Sequence, residues 1–181
     1  MIFKSFELKK IDFKNKIILL YGKNEGHKDE TISYLIKDYD NISKYEEKEI
    51  LENLSQFLED LFNKSLFDND KCIIIKRATD KILKIIEQIE EKDNSDIRII
   101  LNSDVLEKKS KLRNFFEKSK KNICIAFYAD NTQTLSKITH TFLREKKIPL
   151  SQADINLIVE RCNEDRGALI NELTKIEYYS K

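Results

Sequence analysis

Hydrophobic positions along this chain fall into two patterns. Four runs are continuously apolar rather than alternating, at 16–21, 71–75, 97–101 and 122–127. Such runs predict strands covered on both faces. A weaker fifth run lies at 41–45. Between them the apolar residues recur at helical spacing. Ile50, Leu54, Phe57, Leu58, Leu61 and Phe62 form one series, and Ile82, Ile85, Ile86 and Ile89 another. Leu106, Leu112, Phe115 and Phe116 form a third, less regular one. Strands alternating with helices predict parallel β-α units, here about five strands with helices on both faces.

After Phe127 no further strand is visible. Leu135, Ile138, Phe142 and Leu143 mark one helix. Ser151 to Asp154 reads as a capping box that opens a second, just after the only proline, Pro149. Asp165 caps a third, whose apolar face is Ala168, Leu169, Leu173 and Ile176. The expected division is an α/β domain over 1–130 and a small three-helix domain over 131–181.

Composition narrows the function classes. With 40% hydrophobic residues in 181, the chain can bury a core. A net charge of +1 gives no global basic field, so nucleic-acid binding cannot rest on net charge. Three glycines and one proline argue against a loop-rich all-β fold. No apolar stretch approaches the ~20 residues of a membrane span. The cysteines (Cys72, Cys124, Cys162) are odd in number and far apart, which fits reduced thiols and a cytoplasmic setting. Neither His27 nor His140 has a second ligand nearby in sequence, so no metal or other cofactor is expected.

Two places have the layout of a nucleotide site. The run from Ile17 through Gly22 to Asp29 reads as strand, glycine-bearing loop and helix start. A working phosphate loop is G-x-x-x-x-G-K-[ST]. Here Gly22 and Gly26 are one residue too close, and Asp29 stands beside Lys28 where a hydroxyl should hold Mg²⁺. The strand at 71–75 should end in an acid that helps hold the metal; it ends in Lys76 and Arg77. The reading is a degenerate site at Gly22, Gly26, Lys28 and Arg166, and a chain that is not itself an enzyme.

An α/β domain followed by three helices is the layout of the AAA+ superfamily, with the three helices as its lid. The run from Asn163 to Leu173 resembles the lid motif whose arginine faces the nucleotide, with Arg166 at that position. That arginine is read either as structural, the favoured role, or as a solvent-facing side chain in a first helical turn. Further segments narrow the resemblance. They are Leu20-Tyr21-Gly22-x-Asn24-Glu25, Ser65-Leu66-Phe67-Asp68 before a strand, Leu106-x-Lys108-Lys109-Ser110-Lys111-Leu112, and Glu172-Leu173-x-Lys175-Ile176. In this order they resemble the delta-subunit family of bacterial DNA polymerase III clamp loaders.

That resemblance implies a non-hydrolysing AAA+ subunit of a DNA polymerase holoenzyme that binds and opens a sliding clamp in DNA replication. It implies partnership with ATPase and delta-prime-type subunits and with primed DNA, and no membrane. It implies clamp contact through Leu66 and Phe67, with Ser65 shaping the tip. By spacing alone Leu66 continues the series Leu54, Leu58, Phe62, so a core role stays open. Family members carry a C-terminal collar domain; the expectation here is an N-terminal fragment without it. Lys108, Lys109, Lys111 and Arg113 have two readings, contact with DNA phosphate or the solvated face of an amphipathic helix. The competing functions are a divergent P-loop ATPase or nucleotide kinase, with Lys23 or Lys28 on phosphate, and an unrelated α/β interaction domain.

Overall fold

The computed structural model describes residues 2–4 (backbone only), 17–62, 71–92 and 97–180. Among these, six parallel strands form one sheet: β1 Ile2–Lys4, β2 Ile17–Gly22, β3 Asn41–Glu46, β4 Lys71–Lys76, β5 Ile97–Ser103 and β6 Ile123–Phe127, in the order β1-β6-β2-β5-β4-β3. Every pairing is parallel. Parallel neighbours need long crossovers, which helices fill. These are α1 Glu25–Ile36, α2 Glu47–Glu52, α3 Leu54–Phe62, α4 Leu83–Glu91 and α5 Lys111–Lys118.

Strands β2, β4 and β6 are buried on both sides, as their unbroken apolar runs require. Successive side chains of a strand point to opposite faces. Ile17, Leu19 and Tyr21 pack with Ile50, Phe57, Ile85, Ile86, Leu112 and Phe116 from α2 to α5. Ile18 and Leu20 pack on the other face with Ile32 and Leu35 of α1. Each such side chain contributes about 1.5–3 kcal/mol by leaving water. The five predicted strands are present, and the helices lie on both faces. The sixth strand, β1, was not anticipated; three residues are too few to show a period.

One element differs from the sequence reading. The apolar series from Ile50 to Phe62 is two helices, because Asn53 (φ −131°, ψ 49°) leaves the helical region and its N–H closes α2 on the Glu49 carbonyl. Asparagine competes for backbone hydrogen bonds and breaks a helix more readily than its neighbours do. Gly22 ends β2 at φ +129°, where a Cβ would overlap the Phe127 carbonyl oxygen, so only glycine fits.

The chain divides into two compact units, 1–22 with 31–127, and 23–30 with 128–181. In the second, α6 Thr132–Lys146, α7 Gln152–Arg161 and α8 Arg166–Tyr179 share a core of Leu135, Leu143, Ile155, Val159, Leu169 and Leu173. The two caps read from sequence are formed. Ser151 and Asp154 make a reciprocal capping box on α7, and Asp165 accepts from the Ala168 N–H at the start of α8. No helix among the described residues is long and apolar enough to cross a membrane.

Candidate functional site: a cavity at the starts of two helices

Only Lys23 and Asn24 separate β2 from α1. Asn24 Oδ1 accepts from the His27 N–H at 3.0 Å, which makes Asn24 the cap of α1. Helix α1 therefore begins at Glu25, and Gly26 lies inside its first turn rather than in a loop. A Cβ on Gly26 would stand 2.6 Å from the Gly167 amide nitrogen, so this glycine serves the close approach of α1 and α8 within the second unit. Lys28 is fully buried, and its Nζ donates to Glu25 Oε1 at 2.6 Å. Asp29 is exposed.

Arg166 is not solvent-facing. It is 8% exposed and held by acids on two sides. Its Nε and Nη2 donate to the two oxygens of Asp130 at 2.8 and 2.9 Å, and its Nη1 donates to Glu30 at 3.0 Å. Asn24 Nδ2 donates to the same Asp130 at 2.7 Å and to the Tyr128 carbonyl at 3.0 Å. One carboxylate thus joins the cap of α1 to the first residue of α8. Burial, and secondarily the Arg166 charge, push the His27 imidazole down to about 4, against a smaller opposing pull from Asp130.

Asn24 and Arg166 border a cavity of about 320 Å³, lined also by Lys23, Glu25, Gly26, Ala129 and the run 163–165. Its lining carries the carboxylates Glu25, Glu164 and Asp165 against Lys23 and an already paired Arg166. A polyphosphate entering it would meet more negative than free positive charge. Among the described residues no group of three His, Cys, Asp or Glu side chains is arranged to hold a metal ion.

The other predicted residues lie elsewhere. Gly22 belongs to the first unit. At the end of β4, Arg77 adopts a left-handed conformation (φ 53°), and its Nε donates to Glu46 at 2.7 Å. Lys108, Lys109 and Lys111 are exposed at the start of α5, with Lys109 paired to Glu107. Arg113 is engaged internally. It donates to Glu117 at 2.8 Å and to the Leu106 carbonyl at 3.0 Å, and it lies over the Tyr21 ring. Ser65, Leu66 and Phe67 fall outside the described residues. Sequence reading missed Asn24, Glu30 and Asp130 as site residues. Asp130 and Glu30 stand 36 and 136 residues from Arg166, beyond the reach of any local pattern.

No protein-family model matches this chain. A curated relative, the probable DNA polymerase III subunit delta of Rickettsia prowazekii (strain Madrid E), is 24% identical over 168 residues, covering 92% of this chain and 51% of the relative. The chain therefore spans about half the length of the curated relative it matches. Among solved structures, the Bacillus subtilis DNA clamp loader delta protein aligns over 96% of this chain and 56% of its own, with a TM-score of 0.63 and 16% identity. Domain III of the Thermotoga maritima replication initiation protein DnaA aligns over 98% and 83%, with a TM-score of 0.53 and 16% identity. Those structural likenesses concern the fold. The resemblance read from the residues, to the delta subunits of bacterial DNA polymerase III clamp loaders, is thus met again by a curated sequence relative and by a solved fold.

Proposed function

We propose that this chain acts as a non-hydrolysing, clamp-opening subunit of a replicative clamp loader. The observation that carries the reading is the likeness, over 92% of the chain, to a protein described as DNA polymerase III subunit delta. The cavity supports the non-hydrolysing part. Its arginine is neutralised by Asp130 and Glu30; beside it, in the first turn of α1, Lys28 is buried against Glu25, and Asp29 stands in sequence where a Mg²⁺-holding hydroxyl belongs. The partners in this reading are the sliding clamp, ATPase and delta-prime-type loader subunits, and primed DNA. The exposed Lys108, Lys109 and Lys111 offer the sequence-independent phosphate contact that DNA would need.

Without ATP chemistry of its own, such a subunit opens a ring only by binding the open form better than the closed one. Shifting a 1:99 equilibrium to 99:1 takes about 5.5 kcal/mol of differential affinity. The Leu66–Phe67 pair, seated in an apolar pocket of the clamp, would contribute roughly 1.5–3 kcal/mol per side chain. Two anchors therefore reach the right order of magnitude.

The test pairs two titrations of the purified chain. One uses the sliding clamp of the same organism, and the other uses labelled ATP with Mg²⁺. Saturable clamp binding without ATP binding is expected. ATP binding with no affinity for the clamp would overturn the proposal in favour of a divergent ATPase.

A further inference from the structure

We propose that Asp80 is a positioning residue for phosphate contact: it pins the lysine-bearing turn before α5, so that Lys108, Lys109 and Lys111 meet a DNA backbone as one fixed edge. This role rests on the DNA contact proposed above and names the residue that prepares it. The three lysines are exposed, and Lys109 is held by Glu107 at 2.8 Å. Lysine is a point charge on a flexible stem, so its grip on phosphate depends on where the backbone puts it. A turn that is already fixed loses less freedom on binding than a loose one.

Asp80 opens a short 3₁₀ turn, Asp80–Ile82, that follows β4. Its carboxylate accepts from the Ser110 hydroxyl at 2.6 Å, the Lys111 N–H at 3.1 Å and the Leu112 N–H at 2.9 Å. Ser110 Oγ in turn accepts from the Arg113 N–H at 3.1 Å. The amides that a first helical turn leaves open are thereby occupied, so α5 offers phosphate its lysine side chains and not its N–H groups. Two more side chains close the turn. Asn114 Nδ2 donates to the Lys108 and Ser110 carbonyls at 2.8 and 2.7 Å, and Arg113 Nη1 donates to the Leu106 carbonyl at 3.0 Å. The base of the pin is fixed as well. Thr79 donates its N–H at 2.7 Å and its hydroxyl at 2.8 Å to the buried Glu47 carboxylate. The Ser110 hydrogen bond, with smaller help from the two amides, outweighs burial and lowers the Asp80 pKa, so the pin is anionic at neutral pH. By charge alone, a carboxylate beside these lysines would repel DNA. Its hydrogen bonds act in the opposite direction, and the two effects carry opposite signs in a binding experiment.

The experiment follows binding of a fluorescently labelled primed duplex by anisotropy, from about 50 to 200 mM salt. Asp80→Ala removes all three hydrogen bonds and the charge. It should weaken duplex binding by roughly 3–10-fold and make the salt slope shallower by about 1. Lys108→Ala with Lys111→Ala should cost a slope of about 2 in the wild-type background and about 1 or less beside Asp80→Ala, because lysines no longer held in place have less to lose. Should Asp80→Ala not fold, Asn114→Ala carries the same test without any change of charge. Tighter binding by Asp80→Ala would make Asp80 a mere surface charge and overturn the proposal. So would a Tm lowered by about 2–4 °C with affinity and salt slope unmoved, the mark of a plain helix cap. An equal cost of the lysine substitutions in both backgrounds would overturn it too. A wild-type chain that binds no duplex would bring down the DNA contact itself, and this role with it, a result distinct from duplex binding that ignores Asp80.

Discussion

Gly26 and Gly167 meet backbone to backbone at the starts of α1 and α8, with room for no Cβ on Gly26: the added atom would lie 2.6 Å from the Gly167 nitrogen and 3.1 Å from its Cα. Gly26→Ala gains at most about 1 kcal/mol of helix propensity. The clash is with main chain and cannot be relieved by a rotamer change, so an overpacking penalty of about 1–3 kcal/mol outweighs it. We expect a net loss of roughly 1–2 kcal/mol by urea unfolding. Gly167→Ala is the control. Its nearest obstacle is the Asp165 Oδ1 side-chain atom at 3.2 Å, which can shift, so a smaller change is expected.

His27 gives the second unit a pH dependence of known sign. Its folded pKa is depressed from 6.5 to about 4, chiefly by burial and then by Arg166, against Asp130. The unfolded chain therefore binds a proton that the folded chain refuses, and stability falls as pH drops from about 6.5 towards 4. The full shift corresponds to about 3 kcal/mol, which partial exposure and screening reduce to roughly 1–2 kcal/mol. Chemical unfolding between pH 7 and 4.5 should show this loss in wild type and a shallower one in His27→Gln. An imidazole that titrates near 6.5 by NMR would contradict the prediction.

Helix α6 ends on Lys147 in the left-handed region (φ 58°), where the Ile148 N–H reaches the Leu143 carbonyl at 2.9 Å. That position favours glycine, since a Cβ there costs about 1–2 kcal/mol. Lys147→Gly should therefore stabilise the chain by roughly 1 kcal/mol, visible as a raised denaturation midpoint. A fall in stability would mean that the lysine side chain contributes more than its conformation costs.

Leu66→Ala with Phe67→Ala should weaken clamp binding by about 3–6 kcal/mol while leaving Tm nearly unchanged, if the pair is a docking tip. The two outcomes separate cleanly by calorimetry and thermal melting on the same variant. A large loss of Tm with intact clamp affinity would assign both residues to the core.

The sequence alone determined the layered α/β plan and the three terminal helices, because burial on both faces writes continuous apolar runs and helical burial writes a 3.6-residue period. It also determined the local caps at Ser151 and Asp165, whose signals span four residues. Arg166 was legible as a position in a motif, but not what it holds. Periodicity also carried one helix through Asn53, where a single residue's conformation decides the break. Tertiary structure alone decided that Gly26 packs helix on helix, that Lys28 is buried against Glu25, and that Asp130, Glu30 and Asn24 close around Arg166. The Gly26–Gly167 contact and the pairings of Arg166 and Asn24 with Asp130 join residues distant along the chain, and the electrostatic demand of a buried guanidinium has no sequence period by which to find its partner.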